Sequence, residues 1–196
     1  MNLPNKITLS RIVLAFIFMF LLFCQGVLPK YLALFTFCIA CLTDYVDGRI
    51  ARSRNLENNF GRLMDPIADK VLILAAFLSF VEMKIIPAWM VIVIIFRELV
   101  ITGLRIIAAA RRGVVISASL AGKHKTVSQM AAIISILIFI IIRESAQELW
   151  TPAKEVWFKR GAFYLMLLTV VLTLISGISY LVRNRNILFS AHEKSD

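Results

Sequence analysis

Four of the chain's five aspartates fall within 26 residues, in the order Asp44-x2-Asp47-Gly48-x2-Ala51-Arg52-x8-Gly61-x3-Asp65-x3-Asp69. Carboxylates are the side chains that hold hard cations and take protons from hydroxyl groups, so this grouping is a candidate for metal-assisted transfer chemistry. On a helix, residues three or four apart share a face, which makes Asp44 with Asp47, and Asp65 with Asp69, two acidic edges. The first pair closes an apolar run and the second opens one. If both stretches are helical and antiparallel, the four carboxylates meet at one depth.

Such a meeting is unfavourable without a cation between the carboxylates. A carboxylate in a membrane span costs about 2.5 to 3.5 kcal/mol on insertion scales, and like charges at i,i+4 repel. Among helically spaced neighbours only Arg62, three before Asp65, supplies positive charge. A divalent metal supplies the rest, and an all-oxygen shell suits Mg²⁺ or Mn²⁺. A plainer reading makes Asp65 a helix N-cap before Pro66 and leaves Asp44 and Asp47 as solvated helix ends. Eight fixed identities at fixed separations weigh against it.

The pattern resembles the signature of the CDP-alcohol phosphatidyltransferases, membrane enzymes that move a phosphatidyl group from CDP-diacylglycerol to an alcohol and release CMP. Beyond it, Leu3-Pro4-Asn5 with Thr8 and Arg11, the run Leu63-Met64-Asp65-Pro66-x-Ala68-Asp69-Lys70, Arg97-Glu98 with Thr102 and Arg105, and Gly122-Lys123-x-Lys125-Thr126-x2-Gln129 are similar to the phosphatidylglycerophosphate synthase branch. The resemblance implies glycerol 3-phosphate as acceptor, two metal ions held by Asp44, Asp47, Asp65 and Asp69, and Asp69 as the base that deprotonates the acceptor hydroxyl. It places Gly48, Ala51, Arg52 and Gly61 in the CDP-diacylglycerol pocket, with Asn5 and Thr8 as neighbours, and it implies a homodimer. Sibling transferases that make cardiolipin, phosphatidylinositol phosphate or phosphatidylserine are the nearest alternatives. A metal transporter with an acidic site is the alternative from another class; its carboxylates belong near midplane with a path to both faces.

Residue chemistry adds to this. Small Gly48 and Ala51 leave the edge after Asp47 bare, so a nucleotide or a neighbouring helix can approach. The planar fork of Arg52 suits a diphosphate. Glu98, Thr102 and Arg105 stand at i, i+4 and i+7, a polar stripe that must face protein rather than lipid. Glu98 reads equally as an interhelical ion-pair partner, and Arg97 points elsewhere and needs another partner. Arg105, with Arg111, Lys123 and Lys125, can bind the phosphate of an acceptor, although basic loops also serve simply as topology signals.

The elements that must position these residues follow from composition. The 196 residues are 60% hydrophobic, with mean hydropathy +0.82, above the roughly 45 to 50% apolar share of soluble domains. This implies one integral membrane domain over residues 1–196. The net charge of +10 points to anionic lipid and phosphorylated substrates rather than nucleic acid. The expected fold is all-α: a short interfacial helix from Asn2 to Ser10, then six transmembrane helices near Ile12–Phe23, Tyr31–Ile50, Leu63–Val81, Pro87–Ala110, Thr126–Ile142 and Phe158–Val182. Gln25, Gly26 and Pro29 mark the first turn.

With the N-terminus inside, fourteen Lys and Arg lie in cytoplasmic segments against six in outer ones. The positive-inside bias puts both termini and the aspartates on the cytoplasmic side of the membrane, read as a bacterial plasma membrane, and Trp89, Trp150 and Trp157 fall near outer ends as an interfacial belt. Phe23 occupies the position where a cleavable lipoprotein leader needs a small residue before Cys24, so the first span is read as retained. Cys38-x2-Cys41 within a helix, and the small polar stripe Thr169, Thr173 and Ser176, read as packing, the stripe also as a possible subunit contact. His124 and His192 show no metal-ligand spacing.

Overall fold

The computed structural model describes the backbone of residues 3–54, 59–112 and 120–184 and the side chains of residues 10–43, 70–104 and 125–184. Within them the chain is helical with no strand: α1 (Leu3–Phe23), α2 (Val27–Arg54), α3 (Asn59–Glu82), α4 (Ala88–Arg112), α5 (Leu120–Ser145) and α6 (Pro152–Arg183), with one 3-10 turn at Gln147–Leu149 before α6.

Each helix owes its place to an apolar stripe of helical period. Ala15, Phe18 and Leu22 of α1 face Ala33, Phe37 and Ala40 of α2, all buried, and the Phe18 and Phe37 rings sit 5.8 Å apart in a tilted pair. The bundle core continues through Ala76, Phe77 and Phe80 of α3, Met90 and Ile94 of α4, Ile133 and Ile136 of α5, and Met166 of α6. α1 packs on α2 and α3, whereas α6 packs on α5 and α4, and contacts of α2 and α3 with α5 join the halves.

The outside is apolar as well. Phe16, Phe20, Phe35, Phe96, Leu99 and Ile178 are each more than 60% exposed, while Arg97, Glu98 and Lys125 sit inside. An oily exterior around a charged interior is the arrangement a bilayer demands. Lys125–Ser145 and Pro152–Arg183 are long and apolar enough to cross a membrane; among the described residues Ser10–Phe23 and Val27–Thr43 are shorter apolar stretches.

Three local features depart from the sequence expectation. From Leu3, the N-terminal segment forms the first turns of α1 without a break before the span. The first turn is Cys24–Gly26, with Gly26 at φ +96°. Pro29 lies inside the first turn of α2, where its missing N–H removes no helical bond. That turn is closed by Lys30, whose buried ammonium donates to the carbonyls of Leu22 at 2.6 Å and Cys24 at 2.5 Å, satisfying groups that the end of α1 leaves open. Finally, α6 begins at Pro152, earlier than expected, because Thr151 caps it by accepting from the Lys154 N–H at 3.4 Å. None of the three cysteines forms a disulfide.

Contacts between turns fix which helix ends meet. The Gly26 N–H donates to Glu144 at the end of α5 (3.1 Å), and Arg143 reaches Glu155 at the start of α6 (3.8 Å). The turn from α3 to α4 lies beside the first turns of α6. Trp89, Trp150 and Trp157 therefore share one end of the bundle. The end of α2 and the start of α3, which carry the four aspartates, belong to the other.

Candidate functional site

Asp44 and Asp47 lie in the last three turns of α2, and Asp65 and Asp69 in the first three turns of α3, with only residues 55–58 between the two helices. Gly48, Ala51 and Arg52 follow in α2, Gly61 precedes Asp65 in α3, and Asn5 and Thr8 are in the opening turns of α1, which packs against both. Arg105 and Arg111 fall near the end of α4, and Lys123 near the start of α5. The backbone thus gathers every one of these positions at one end of the bundle. Their side chains lie outside the described residues. Of the candidate metal-, nucleotide- and phosphate-binding residues, Lys125 alone has a described side chain.

In α3 the described side chains begin one residue beyond the last aspartate. Lys70 Nζ reaches across to α4, 3.4 Å from Glu98 Oε2 and 3.4 Å from the Glu98 carbonyl, and it also donates to Thr102 Oγ1. Lys125 of α5, buried, donates to Glu98 Oε1. Arg97 reaches the same oxygen at 3.3 Å through Nη1, while its Nη2 donates to Ser176 Oγ of α6 at 2.9 Å. One carboxylate therefore collects cations from α3, α4 and α5, and Arg97 extends the network to α6.

These pairings set the register around the aspartates. α3 and α4 run antiparallel, with Lys70 level with Glu98 and Thr102, so Arg105, a turn farther along α4, stands level with Asp65 and Asp69 along the bundle axis. Arg111 lies nearly two turns beyond it. Lys125 is level with Glu98, about two turns deeper than Arg105, and its ammonium is engaged there.

Of the polar stripe predicted on α4, Glu98 and Thr102 both meet Lys70 of α3, while the Arg105 side chain lies outside the described residues. Arg97 finds its partner in Ser176, a residue of the small polar stripe on α6. Thr169, Thr173 and Ser176 are all buried, so the stripe faces the interior of this bundle rather than another subunit. Thr169 Oγ1 donates back to the Leu165 carbonyl at 3.0 Å. Gly177 lets Arg97 lie against α6: a Cβ there would stand 3.1 Å from Arg97 Cγ and 3.2 Å from Nε. Lys70 had no role assigned from sequence; its position directly after Asp69 was the available signal. Gln129, one turn after Lys125, is buried, and its amide nitrogen has no hydrogen-bond partner among the described residues.

Among the described side chains no group of three or more His, Cys, Asp or Glu is placed to hold a metal. The donor set of the four aspartates, brought together by two consecutive antiparallel helices, is all oxygen and fits a hard divalent cation.

A family model for CDP-alcohol phosphatidyltransferases matches residues 1–175. The chain belongs to the CDP-alcohol phosphatidyltransferase family. It is 44% identical over 149 residues to the CDP-diacylglycerol–glycerol-3-phosphate 3-phosphatidyltransferase of Bacillus subtilis, covering 70% of this chain and 77% of the relative. It is 35% identical over 185 residues to a probable phosphatidylglycerophosphate synthase of Mycobacterium tuberculosis, covering 93% and 81% respectively. Identity to the CDP-diacylglycerol–glycerol-3-phosphate 3-phosphatidyltransferase of Escherichia coli K12 is 32% over 185 residues, covering 92% and 93%. Membership makes the chain a membrane transferase and sets the transporter alternative aside.

Proposed function

We propose that this chain transfers the phosphatidyl group of CDP-diacylglycerol to glycerol 3-phosphate, giving phosphatidylglycerophosphate and CMP. The observation that carries this reading is the juxtaposition of four aspartates at the family's spacing on the facing ends of α2 and α3. The acceptor follows from the printed names of relatives that match most of the chain.

In the reaction, the acceptor hydroxyl oxygen forms a bond to the lipid-side phosphorus of the pyrophosphate. The bond from that phosphorus to the bridging oxygen breaks, and CMP departs with the electron pair. Asp69 takes the hydroxyl proton. Asp44, Asp47, Asp65 and Asp69 would hold two divalent cations, Mg²⁺ or Mn²⁺, which when bound neutralise charge on the pyrophosphate oxygens. Arg52 binds the diphosphate through its fork, and Gly48, Ala51 and Gly61, with Asn5 and Thr8, leave room for the nucleotide. Arg105, level with the aspartates, binds the acceptor's phosphate with Arg111 and Lys123 beside it. Lys125 contributes charge from within the Glu98 cluster.

One substrate is soluble and the other keeps its acyl chains in the bilayer, so the site opens both to water and to lipid. The lysine and arginine distribution supports a cytoplasmic site and cytoplasmic termini in a bacterial plasma membrane. The active unit is a single domain working as a homodimer. The test offers purified protein CDP-diacylglycerol, Mg²⁺ or Mn²⁺ and a panel of acceptors: glycerol 3-phosphate, phosphatidylglycerol, inositol phosphate and serine. CMP release with glycerol 3-phosphate is expected. Release only with another acceptor reassigns the chain to a sibling, and no release with any overturns the reading.

A further inference from the structure

A groove of about 710 Å³ opens at the bundle end opposite the aspartates, between the turn from α3 to α4 and the first turns of α6. Its walls are apolar, formed by Val81, Ile86, Val156 and Phe163, with Trp89 and Tyr164 beside them. Three cations line it: Lys84, Lys159 and Arg160. Lys159 shares Glu155, 3.4 Å away, with Arg143. Among the described residues neither Lys84 nor Arg160 has a carboxylate partner, and the Arg160 guanidinium lies 5.9 Å from the centre of the Trp157 ring. Lys84 is held at φ +55° in a turn closed by its N–H donating to the Val81 carbonyl at 2.9 Å, so the backbone fixes where this lysine leaves the bundle. A non-glycine residue in that region is strained.

The combination is specific in chemistry. Exposed tryptophans mark the level where lipid headgroups meet hydrocarbon, and Trp89 and Trp157 are 47% and 71% exposed at this end. Cations at that level meet phosphodiesters, while Val81 and Phe163, each one turn deeper than Lys84 and Arg160, meet acyl chains. Two cations without carboxylate partners suit a lipid of net negative charge. A zwitterionic headgroup brings its own ammonium into a cluster of three cations and is disfavoured by like-charge repulsion.

From this we infer that the groove is a binding site for one anionic phospholipid, its phosphodiester between Lys84 and Arg160 and an acyl chain along Val81 and Phe163. The site is separate from the reaction centre, at the far end of the bundle. Lipid held there braces the end of α3 against α6, the two helices that carry Lys70 and Ser176 of the Glu98 cluster.

The test uses the full chain with Trp150→Phe and Trp157→Phe, leaving Trp89 as the only tryptophan, in phosphatidylcholine nanodiscs. Phosphatidylglycerol or phosphatidylcholine with brominated acyl chains is introduced at equal mole fraction, and quenching of Trp89 fluorescence is read. Each cation near a membrane surface is worth about 1 kcal/mol toward anionic lipid, so phosphatidylglycerol is expected to reach half-maximal quenching at a roughly fivefold or greater lower mole fraction. Adding Lys84→Gln and Arg160→Gln is expected to abolish the preference. Equal quenching by both lipids overturns the proposal, as does a preference that survives the double substitution. Loss of dimer mass in the double variant without any lipid preference overturns it too, assigning the groove to a second copy of the chain. Because the readout is binding at Trp89, its failure leaves the transferase reading intact, and failure of CMP release leaves this one intact.

Discussion

Lys70, the residue after Asp69, stands 3.4 Å from Glu98 Oε2 on the neighbouring helix. The helix that carries half of the aspartates is thereby pinned in register to α4, and through Lys125 and Arg97 to α5 and α6. The carboxylate is largely buried, so removing it leaves several cations to find new partners.

Glu98→Ala is therefore expected to lower stability by about 3 to 5 kcal/mol, as for other buried pairs that lose one partner. Thermal unfolding of detergent-purified protein checks it. Glu98→Gln keeps an accepting oxygen for Lys125 and should fall between the two. An unchanged midpoint in Glu98→Ala would show that the cluster does not hold the helices together.

Two glycines of α6 should respond oppositely to one added methyl. At Gly177 a Cβ presses on Arg97, which Glu98 and Ser176 hold in place, so Gly177→Ala is expected to cost about 1 to 3 kcal/mol. At Gly161 a Cβ meets nothing within 4 Å, so Gly161→Ala is expected to be neutral or to gain up to about 1 kcal/mol from helix propensity. Parallel melts of the two variants decide the matter.

The α4 stripe, the aspartate spacing and the six helices were legible in the sequence because each is a matter of local period. Partnerships were not. Ser176 lies 79 positions from Arg97, and nothing in a small polar stripe announces that it will receive a guanidinium rather than another subunit. Lys125 read as a phosphate ligand because it stands with Lys123 in a basic stretch just before the expected fifth span; burial against Glu98 is a tertiary outcome. Lys70 was given no role since that role depends on which helix stands opposite.

Asp69→Asn is expected to reduce CMP release by at least 10²-fold, the lower range for loss of a general base, while retaining more CDP-diacylglycerol binding than Asp44→Asn does. Chelation with EDTA should stop turnover of the unaltered protein, and Mg²⁺ or Mn²⁺ should restore it. Equal loss of binding in both variants would remove Asp69 from the role of base.

Arg105→Ala is expected to raise KM for glycerol 3-phosphate by roughly tenfold or more, the loss of about 1.5 to 3 kcal/mol from a charged hydrogen bond. KM for CDP-diacylglycerol should change little. The reverse pattern would take Arg105 out of the acceptor's pocket.

Orientation is open to labelling in intact cells. With Cys24, Cys38 and Cys41 replaced by serine, a cysteine at Thr151 should react with an impermeant maleimide, and one at Lys194 only after permeabilisation. A C-terminal cysteine labelled from outside would invert the arrangement.

The exposed shell of Phe16, Phe20, Phe35, Ile92 and Phe96 shares no side chain with the Glu98 cluster. Its only evident employment is to keep company with hydrocarbon. Repainting those positions with glutamate and lysine would yield a form that dissolves without detergent yet retains its charged centre, whereas bleaching the centre and sparing the shell would leave an oily cylinder with nothing to align its staves.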